Sequence, residues 1–211
     1  MLVRPDERVP LAHLLTFLAH GERLAHDCAK AQAAIAPDPH TRRFLLAQAR
    51  QEAFHAVVFR GAVAWLASCH VGACPLQPPL EHFRTLIEEA VRQRHFLETI
   101  MAEQIILEGL GEAILRRLEA GLVKRNAGFG RLQRILVHQE EAHHGFGRRV
   151  LDRAIASGKA SAEDLRARAQ EYFALTESMV TTLGTLFDSI HEDPTAYLAD
   201  ARRALPTWLL Q

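Results

Sequence analysis

The sequence has few of the features that mark secreted, membrane-spanning or nucleic-acid-binding proteins. Its 211 residues include only three cysteines, which lack the paired C-x-x-C spacing of a disulfide framework or a rubredoxin-type iron knuckle. The 25 basic and 25 acidic residues balance, so no field of one sign favours a nucleic acid or a membrane surface. No stretch reaches about 18 uncharged apolar residues, and charges occupy the start of the chain, where a signal peptide needs an apolar run. These absences predict a cytoplasmic protein that binds neither nucleic acid nor membrane.

Alternating strand-type patterns are also scarce, whereas apolar residues recur at helical spacing between prolines and glycines. The expected fold class is therefore all-α. Four long helices are predicted over about Val9 to Ile35, Thr41 to Ala67, Glu81 to Ala120 and Gly128 to Ser157. The proline-containing connection from Ser68 to Leu80 is long enough to return the chain along the bundle, so we expect a four-helix bundle with one crossover.

Two further helices are predicted after the bundle, from Ser161 to about His191 and from Asp193 onward. Ser161 and Asp193 are residue types that cap helix N-termini. We therefore expect a bundle over residues 1–157 and a helical extension over residues 158–211 that packs on it.

One pattern occurs twice, as Gln-Glu-Ala-Phe-His at residues 51–55 and as Gln-Glu-Glu-Ala-His at residues 139–143. Each copy places a Glu and a His three residues apart. On a helix these two side chains point the same way and can offer one oxygen and one nitrogen to the same cation. The candidate pairs are Glu52 with His55 and Glu140 with His143, all on apolar stripes of their helices.

The fourth helix also offers a second register. Glu141 and His144 are likewise three residues apart, but they would share their stripe with Arg148. We prefer Glu140 with His143, and the Glu141 and His144 register remains the alternative.

The first and third helices each have an inward-facing carboxylate. Glu22 is the one acidic residue on the apolar stripe of the first helix. On the third helix the stripe favours Glu103, whereas the level in the bundle favours Glu108. With the turn centred on residue 124, Glu108 and Glu140 lie equally far from it (124 − 108 and 140 − 124), while Glu103 would lie roughly 7 Å further along. We therefore predict Glu108 and keep Glu103 as the alternative.

Four carboxylates and two imidazoles make up this candidate set. Burying four carboxylates is costly and sets them against one another, in a protein whose total stability is about 5–15 kcal/mol. Two divalent cations would cancel their charge, so the set predicts a di-metal carboxylate site inside a four-helix bundle. We expect two iron ions, with manganese or a mixed manganese and iron pair as the alternative. The predicted ligands are Glu22, Glu52, His55, Glu108, Glu140 and His143.

This pattern resembles the ferritin-like superfamily of di-iron carboxylate proteins, whose ligands occur in the order Glu, Glu-x-x-His, Glu, Glu-x-x-His on four helices. The six residues match that order one by one, over about residues 9 to 157. The segment from Glu140 to Gly147 is similar to the Glu-x-x-His-x-x-Phe-Gly segment of aldehyde-deformylating oxygenases. Phe59 stands where ribonucleotide reductase subunits of the superfamily keep a radical-storing Tyr, so the resemblance implies no stored tyrosyl radical.

The resemblance leaves more than one function open. We expect a di-iron oxygenase or oxidase that uses O₂ to oxidise or hydroxylate a small, apolar organic substrate, with electrons from an external donor. The long C-terminal extension favours this reading over iron or peroxide handling of the ferritin and rubrerythrin type, or a non-enzymatic metal-binding module. No catalytic residue beyond the metal ligands is predicted, and a homodimer is left open.

Two groups of residues near the predicted ligands have alternative interpretations. Apolar side chains either line a substrate pocket or form ordinary core; they are Phe54, Phe59, Ile106, Leu110 and Phe146. Glycines within helices indicate either close helix approach or a substrate channel or bulge, because each costs about 1 kcal/mol relative to alanine. These glycines are Gly21, Gly109, Gly111, Gly145 and Gly147.

Overall fold

The protein is built from helices, and the part of the chain that the structure describes contains no strand, which confirms the all-α fold class. The structure is a computed structural model that describes residues 4–70, 77–124, 130–189 and 192–210. Its α-helices are α1 (Arg8–Ile35), α2 (Pro39–Ala67), α3 (Pro78–Arg92), α4 (Phe96–Ile100), α5 (Glu108–Lys124), α6 (Gly130–Ala156), α7 (Ala162–Thr182), α8 (Gly184–Ser189), α9 (Pro194–Ala204) and α10 (Thr207–Leu210). A π-helical segment, Met101–Leu107, joins α4 to α5.

The first two helices form an antiparallel hairpin with a tight turn. Asp38 caps α2 by accepting hydrogen bonds from the backbone N–H of His40 at 2.8 Å and Thr41 at 2.9 Å. Pro39 follows as the first helical residue, where its missing N–H costs nothing. Further along the hairpin, the side chain of His26 donates from Nδ1 to the carbonyl of Ala49 at 2.6 Å, which ties the two helices together.

The third helix of the bundle is composite and covers residues 96–124, including α4, the π segment and α5. It runs antiparallel to α1, because Gln32 near the end of α1 bonds to Gln104, whereas Phe17 near its start lines a cavity with Ile114. Since α1 and α2 are antiparallel, the third helix is parallel to α2, and this direction requires a crossover connection between them.

That crossover is longer than the sequence predicts. The single helix predicted from about Glu81 to Ala120 is wrong, because the chain breaks between α3 and α4. Arg94 adopts a left-handed conformation with φ 60°, and the N–H of His95 bonds to the carbonyl of Ala90, a helix-ending arrangement usually made with glycine. Helix α3 therefore belongs to the crossover, whereas residues 71–76 of the predicted connection lie outside the described residues.

The helices after α6 pack against the bundle. Ser161 caps α7 by accepting a hydrogen bond from the N–H of Asp164, and α7 contacts α3 and the π segment. The predicted extension of this helix to His191 is wrong, since α7 ends at Thr182 and a turn at Leu183 leads into the short α8. Helix α8 contacts α1, and α9 contacts α5. The division into domains at residues 157 and 158 stays a prediction.

Two further observations concern the cysteines and the hydropathy of the helices. Cys28 is a buried free thiol and Cys69 an exposed one, whereas Cys74 lies outside the described residues. Among the helices that the structure describes, none combines the length and the hydropathy that crossing a membrane requires.

Candidate metal centre

Each of the four bundle helices contributes to one buried cluster of acidic and imidazole side chains. Helix α1 contributes Glu22, and Glu108 is the first residue of α5. The two repeated motifs supply a Glu and a His each from α2 and α6. All six predicted ligands are at most 9% exposed, so the bundle core holds four carboxylates at one level.

The side chains form two overlapping groups in which the potential ligand atoms lie within 4.8 Å of one another. The groups are Glu22, Glu52, His55 and Glu140, and Glu52, Glu108, Glu140 and His143. We refer to them as the Glu22 side and the Glu108 side. Two carboxylates belong to both sides, and a carboxylate with two oxygens can bridge two cations. The structure therefore brings all six predicted residues together as two adjacent potential cation positions.

The imidazole nitrogens point into these positions and are crowded by acceptors. Nδ1 of His55 lies 2.9 Å from Glu140, 3.1 Å from Glu52 and 3.2 Å from Glu22. One N–H has a single hydrogen to share among three carboxylates. Nδ1 of His143 lies 2.8 Å from Glu52, with Glu140 at 3.6 Å. Three carboxylate oxygens around one nitrogen form the arrangement expected of ligands that share a cation.

Unsatisfied atoms test whether a cation fits. Both carboxylate oxygens of Glu52 and of Glu140, and Nδ1 of His143, are buried and make no well-directed hydrogen bond within the described residues. Leaving a buried charged group unsatisfied is costly, and coordination to a cation removes that cost. Glu52 and Glu140 are also the two carboxylates that belong to both sides of the cluster, so the donor set fits a pair of metal ions.

The pKa values show how the cluster balances its charge without a metal. Burial raises the pKa of Glu22 and of Glu108 well above the ordinary value, and the neighbouring Glu140 raises both further. Burial alone would also raise the pKa of Glu52 and Glu140, but the close imidazoles of His143 and His55 outweigh it and lower both values.

The imidazoles respond in the opposite way to their surroundings. Burial alone would lower the pKa of His143, but the carboxylates of Glu140 and Glu52 raise it to about 10. The pKa of His55 is also raised, because hydrogen bonds to Glu140 and Glu22 outweigh its burial. The metal-free cluster therefore holds protons on both imidazoles, and a metal ion must displace them to bind.

Two glutamines that sequence reasoning missed support the imidazoles from outside the cluster. Nε2–H of His55 donates to Oε1 of Gln139 at 2.7 Å, and Nε2–H of His143 donates to Oε1 of Gln51 at 2.8 Å. Each Gln precedes the Glu of its own motif but holds the His of the other motif, on the other helix. Because Nε2 carries the hydrogen in each bond, Nδ1 is the nitrogen that faces the cluster. The Gln that precedes the Glu in both motifs is the feature of the sequence that could have indicated this role.

The two candidate carboxylates of the third helix both point inward. Glu108 belongs to the cluster, and Glu103 is fully buried beside it. Gln48 donates to both, at 3.0 Å to Oε1 of Glu103 and 2.8 Å to Oε1 of Glu108. Burial raises the pKa of Glu103 to about 8.

The alternative register on α6 points away from the cluster. Glu141 is exposed and pairs with Arg116. His144 lies 3.6 Å from Glu112, outside the two groups. The structure thus brings Glu140 and His143 into the cluster and places the Glu141 and His144 pair on its outer side.

An apolar cavity of about 40 Å³ opens beside the cluster. Carboxylates form part of its wall, and the rest is apolar apart from two glycines. It is lined by Phe17, Leu18, Gly21, Glu22, Ala25, Leu80, Leu107, Glu108, Leu110, Gly111, Ile114 and Glu140.

This lining bears on the two interpretations of the five apolar residues near the ligands. Of the five apolar residues predicted, only Leu110 lines the cavity. Phe54 is half exposed on the surface of α2, Phe146 stacks on Phe44 at 3.9 Å, and Phe59 is ordinary core. Ile106 lines a different, smaller cavity. The other four do not line this cavity because it lies mainly between α1 and α5, whereas Phe54, Phe59 and Phe146 lie on α2 and α6.

The glycines near the ligands have different structural roles. A Cβ at Gly147 would lie 2.6 Å from Cβ of Gln104, so this glycine permits close approach of α6 to the π segment. Gly21 and Gly111 line the cavity, and a Cβ at either would meet no atom within 4 Å. Close approach and open cavity space are therefore both present.

No protein-family model and no curated protein sequence matches the chain. The structure is similar to the solved structure of Protein 19 with aldehyde deformylating oxidase activity from Synechococcus, with a TM-score of 0.77 and 20% sequence identity. The similarity covers 97% of this chain and 90% of that chain. The chain has a ferritin-like fold. Within this ferritin-like bundle, the buried carboxylate and histidine cluster could bind metal.

Proposed function

We propose that the protein is a di-iron oxygenase or oxidase that uses O₂ to oxidise a small apolar substrate. The observation that carries this proposal is the pair of overlapping ligand groups with an apolar cavity against them. Carboxylate oxygens and imidazole nitrogens suit iron, and they also suit manganese or a mixed pair. When bound, an iron pair supplies redox chemistry with O₂ that amino acid side chains cannot perform.

The residues of the cluster and the two glutamines would have different roles at this centre. Glu52 and Glu140, common to both groups, would help to hold both ions, while His55 would hold one ion and His143 the other. Gln139 and Gln51 hold the two imidazole rings so that Nδ1 faces the ions. The two ions would cancel the negative charge of the four carboxylates and would thereby stabilise the folded bundle.

The cavity would hold the substrate next to the ions. Phe17, Leu18 and Leu110 give it apolar walls that exclude water and favour a hydrocarbon group. Its volume of about 40 Å³ suits a small group, so a longer chain would require movement of α1 or α5. The named activity of the similar structure and the apolar walls support an aldehyde as the first substrate class to test.

Electrons would come from outside the chain. The described residues contain no third group of metal-ligating side chains that could hold a redox centre. Oxidation of most substrates by O₂ consumes more electrons than the substrate gives up. We therefore infer an external electron donor as a partner, together with O₂ and the substrate.

The test combines metal binding with O₂ consumption. We expect anaerobic loading with Fe(II) to give about two ions per chain and O₂ uptake with a reductant to rise when a short-chain aldehyde is added. Glu140→Ala should abolish both, whereas Glu141→Ala, one residue away and exposed, should retain both. Substrate-independent O₂ uptake with accumulation of ferric mineral would contradict the oxygenase function and favour iron handling.

A further inference from the structure

Glu103 is a buried carboxylate that belongs to neither ligand group. Its side chain is fully buried, and Oε1 accepts a hydrogen bond from the Gln48 amide at 3.0 Å. The same amide nitrogen donates to Glu108 at 2.8 Å. Oε2 of Glu103 has no hydrogen-bond partner among the described residues. One oxygen of Glu103 is thus held beside a predicted ligand, and the other is unused.

The π-helical segment explains why both carboxylates face the cluster. In an α-helix each residue turns by about 100°, so residues five apart point in clearly different directions. Here the N–H of Glu108 donates to the carbonyl of Glu103, a bond across five residues that makes one π-helical turn. The two side chains are therefore stacked one turn apart on the same face.

A chain of glutamines fixes the amide that serves both carboxylates. Gln104 and Gln32 are joined by two hydrogen bonds of 2.8 and 3.1 Å, and Nε2 of Gln104 also donates to Oε1 of Gln48 at 3.2 Å. With its oxygen engaged in this way, Gln48 must turn its NH₂ group toward Glu103 and Glu108. The network holds the extra carboxylate at the edge of the Glu108 side.

We propose that Glu103 is a reserve ligand for the metal ion on the Glu108 side. This inference rests on the proposed di-metal site. When Glu108 swings away or is removed, the free Oε2 of Glu103 takes its place and restores the fourth ligand to Glu52, Glu140 and His143.

Among the described residues, α1 offers the Glu22 side no such reserve. The other acidic residue of α1, Asp27, has a side chain that is 67% exposed. The two ends of the cluster therefore differ in their tolerance to the loss of a terminal carboxylate, although each has one Glu that belongs to it alone.

The test measures metal stoichiometry and affinity in four proteins, the wild type, Glu108→Ala, Glu22→Ala and the double variant Glu103→Gln/Glu108→Ala. Glutamine keeps the shape of Glu103 and its bond to Gln48 but is a weak ligand. Titration with Co(II) under anaerobic conditions reports both ions without any turnover, and circular dichroism checks that each variant is helical. We expect Glu108→Ala to retain two ions, with the affinity of the second reduced by no more than about tenfold. In the double variant we expect a reduction beyond the roughly 100-fold limit of outer-shell changes.

The comparison of single variants keeps the test decisive if the double variant does not fold. We expect Glu22→Ala to lose affinity for one ion by more than about 100-fold, well beyond the loss in Glu108→Ala. Equal losses in these two variants, or equal affinities in Glu108→Ala and the double variant, would overturn the role of Glu103. A wild-type protein that holds fewer than two ions would instead overturn the di-metal site, and the inference with it.

Discussion

Each of the two glutamines binds the imidazole of the other motif, and this crossed arrangement leads to a prediction that proximity in sequence would not give. Gln139 neighbours Glu140 and lies on the same helix as His143, but its side chain holds His55 on α2 at 2.7 Å. Gln139→Met keeps the length of the side chain and removes the amide. We expect it to weaken the ion on the Glu22 side, which contains His55, and to leave the ion bound by His143 nearly unchanged.

The magnitude follows from what the hydrogen bond does in each state. An unsatisfied Nε2–H on the buried His55 costs about 1–3 kcal/mol. The metal-free and metal-loaded proteins both bear this cost, so it appears as reduced stability of the metal-free protein in denaturant unfolding. The affinity falls because the ring of His55 loses its orientation and its basicity, and such outer-shell changes reduce metal affinity by about 10- to 100-fold.

A double-mutant cycle assigns the effect to one imidazole. After His55→Ala, Gln139→Met should cause no further loss of affinity, whereas after His143→Ala it should cause the full loss. Gln51→Met should show the reverse pairing, and Gln170→Met, on the exposed face of α7, serves as the control. Anaerobic calorimetric titration with Mn(II) or Co(II) measures each affinity. Coupling of Gln139 to His143 and not to His55 would refute the crossed arrangement.

Three further predictions concern the cavity, the helix contact and pH. Gly111→Ala should raise the melting temperature as much as the exposed control Gly61→Ala, since neither added Cβ meets an atom within 4 Å and each gains about 1 kcal/mol of helix propensity. Only Gly111→Ala should slow turnover, because Gly111 lines the cavity. Steady-state assays with substrates of increasing size can show this difference. Gly147→Ala should instead destabilise the protein by about 1–3 kcal/mol in denaturant unfolding, because its Cβ would lie 2.6 Å from a neighbouring Cβ; a stability equal to wild type would contradict the close contact. The pKa of His143 rises from 6.5 to about 10 on folding. Its contribution to the stability of the metal-free protein is therefore complete below pH 6.5 and is lost as the pH rises through about 10. Denaturant unfolding of the metal-free protein at pH 7 and at pH 10 measures this loss, which should be absent from His143→Ala.

The sequence predicts the parts of this site that depend on local spacing. A Glu and a His three residues apart face the same way on any α-helix, so the pairs of α2 and α6 could be recognised without knowledge of the fold. Equal distance from a turn predicted that Glu108 lies level with Glu140, and in the structure ligand atoms of the two lie within 4.8 Å of one another. The predicted bounds of the first two helices, Val9 to Ile35 and Thr41 to Ala67, differ from those of α1 and α2 by at most two residues.

The parts that depend on tertiary packing could not be predicted in this way. The break at Arg94 uses a left-handed residue without the glycine that normally signals it, so periodicity continued through it. The sequence left open whether the five apolar residues line a pocket, because apolar residues of a core and of a pocket wall look alike in sequence. Its position depends on which helices leave space, and Gly21 and Gly111 on α1 and α5 provide that space.

The π segment shows why two sound arguments about the third helix disagreed. The apolar stripe favoured Glu103 and the level in the bundle favoured Glu108, and an α-helix cannot turn both toward the same centre. The hydrogen bond from Glu108 to Glu103 spans five residues, so the chain gains the extra residue per turn that lets both face inward. Hydrogen bonds from Gln48 to both carboxylates then hold them there. Gln48 is in turn bonded to Gln104, and Gln104 to Gln32, so the network joins α1, α2 and the third helix. The helical period of a single segment therefore cannot reveal that both carboxylates face inward.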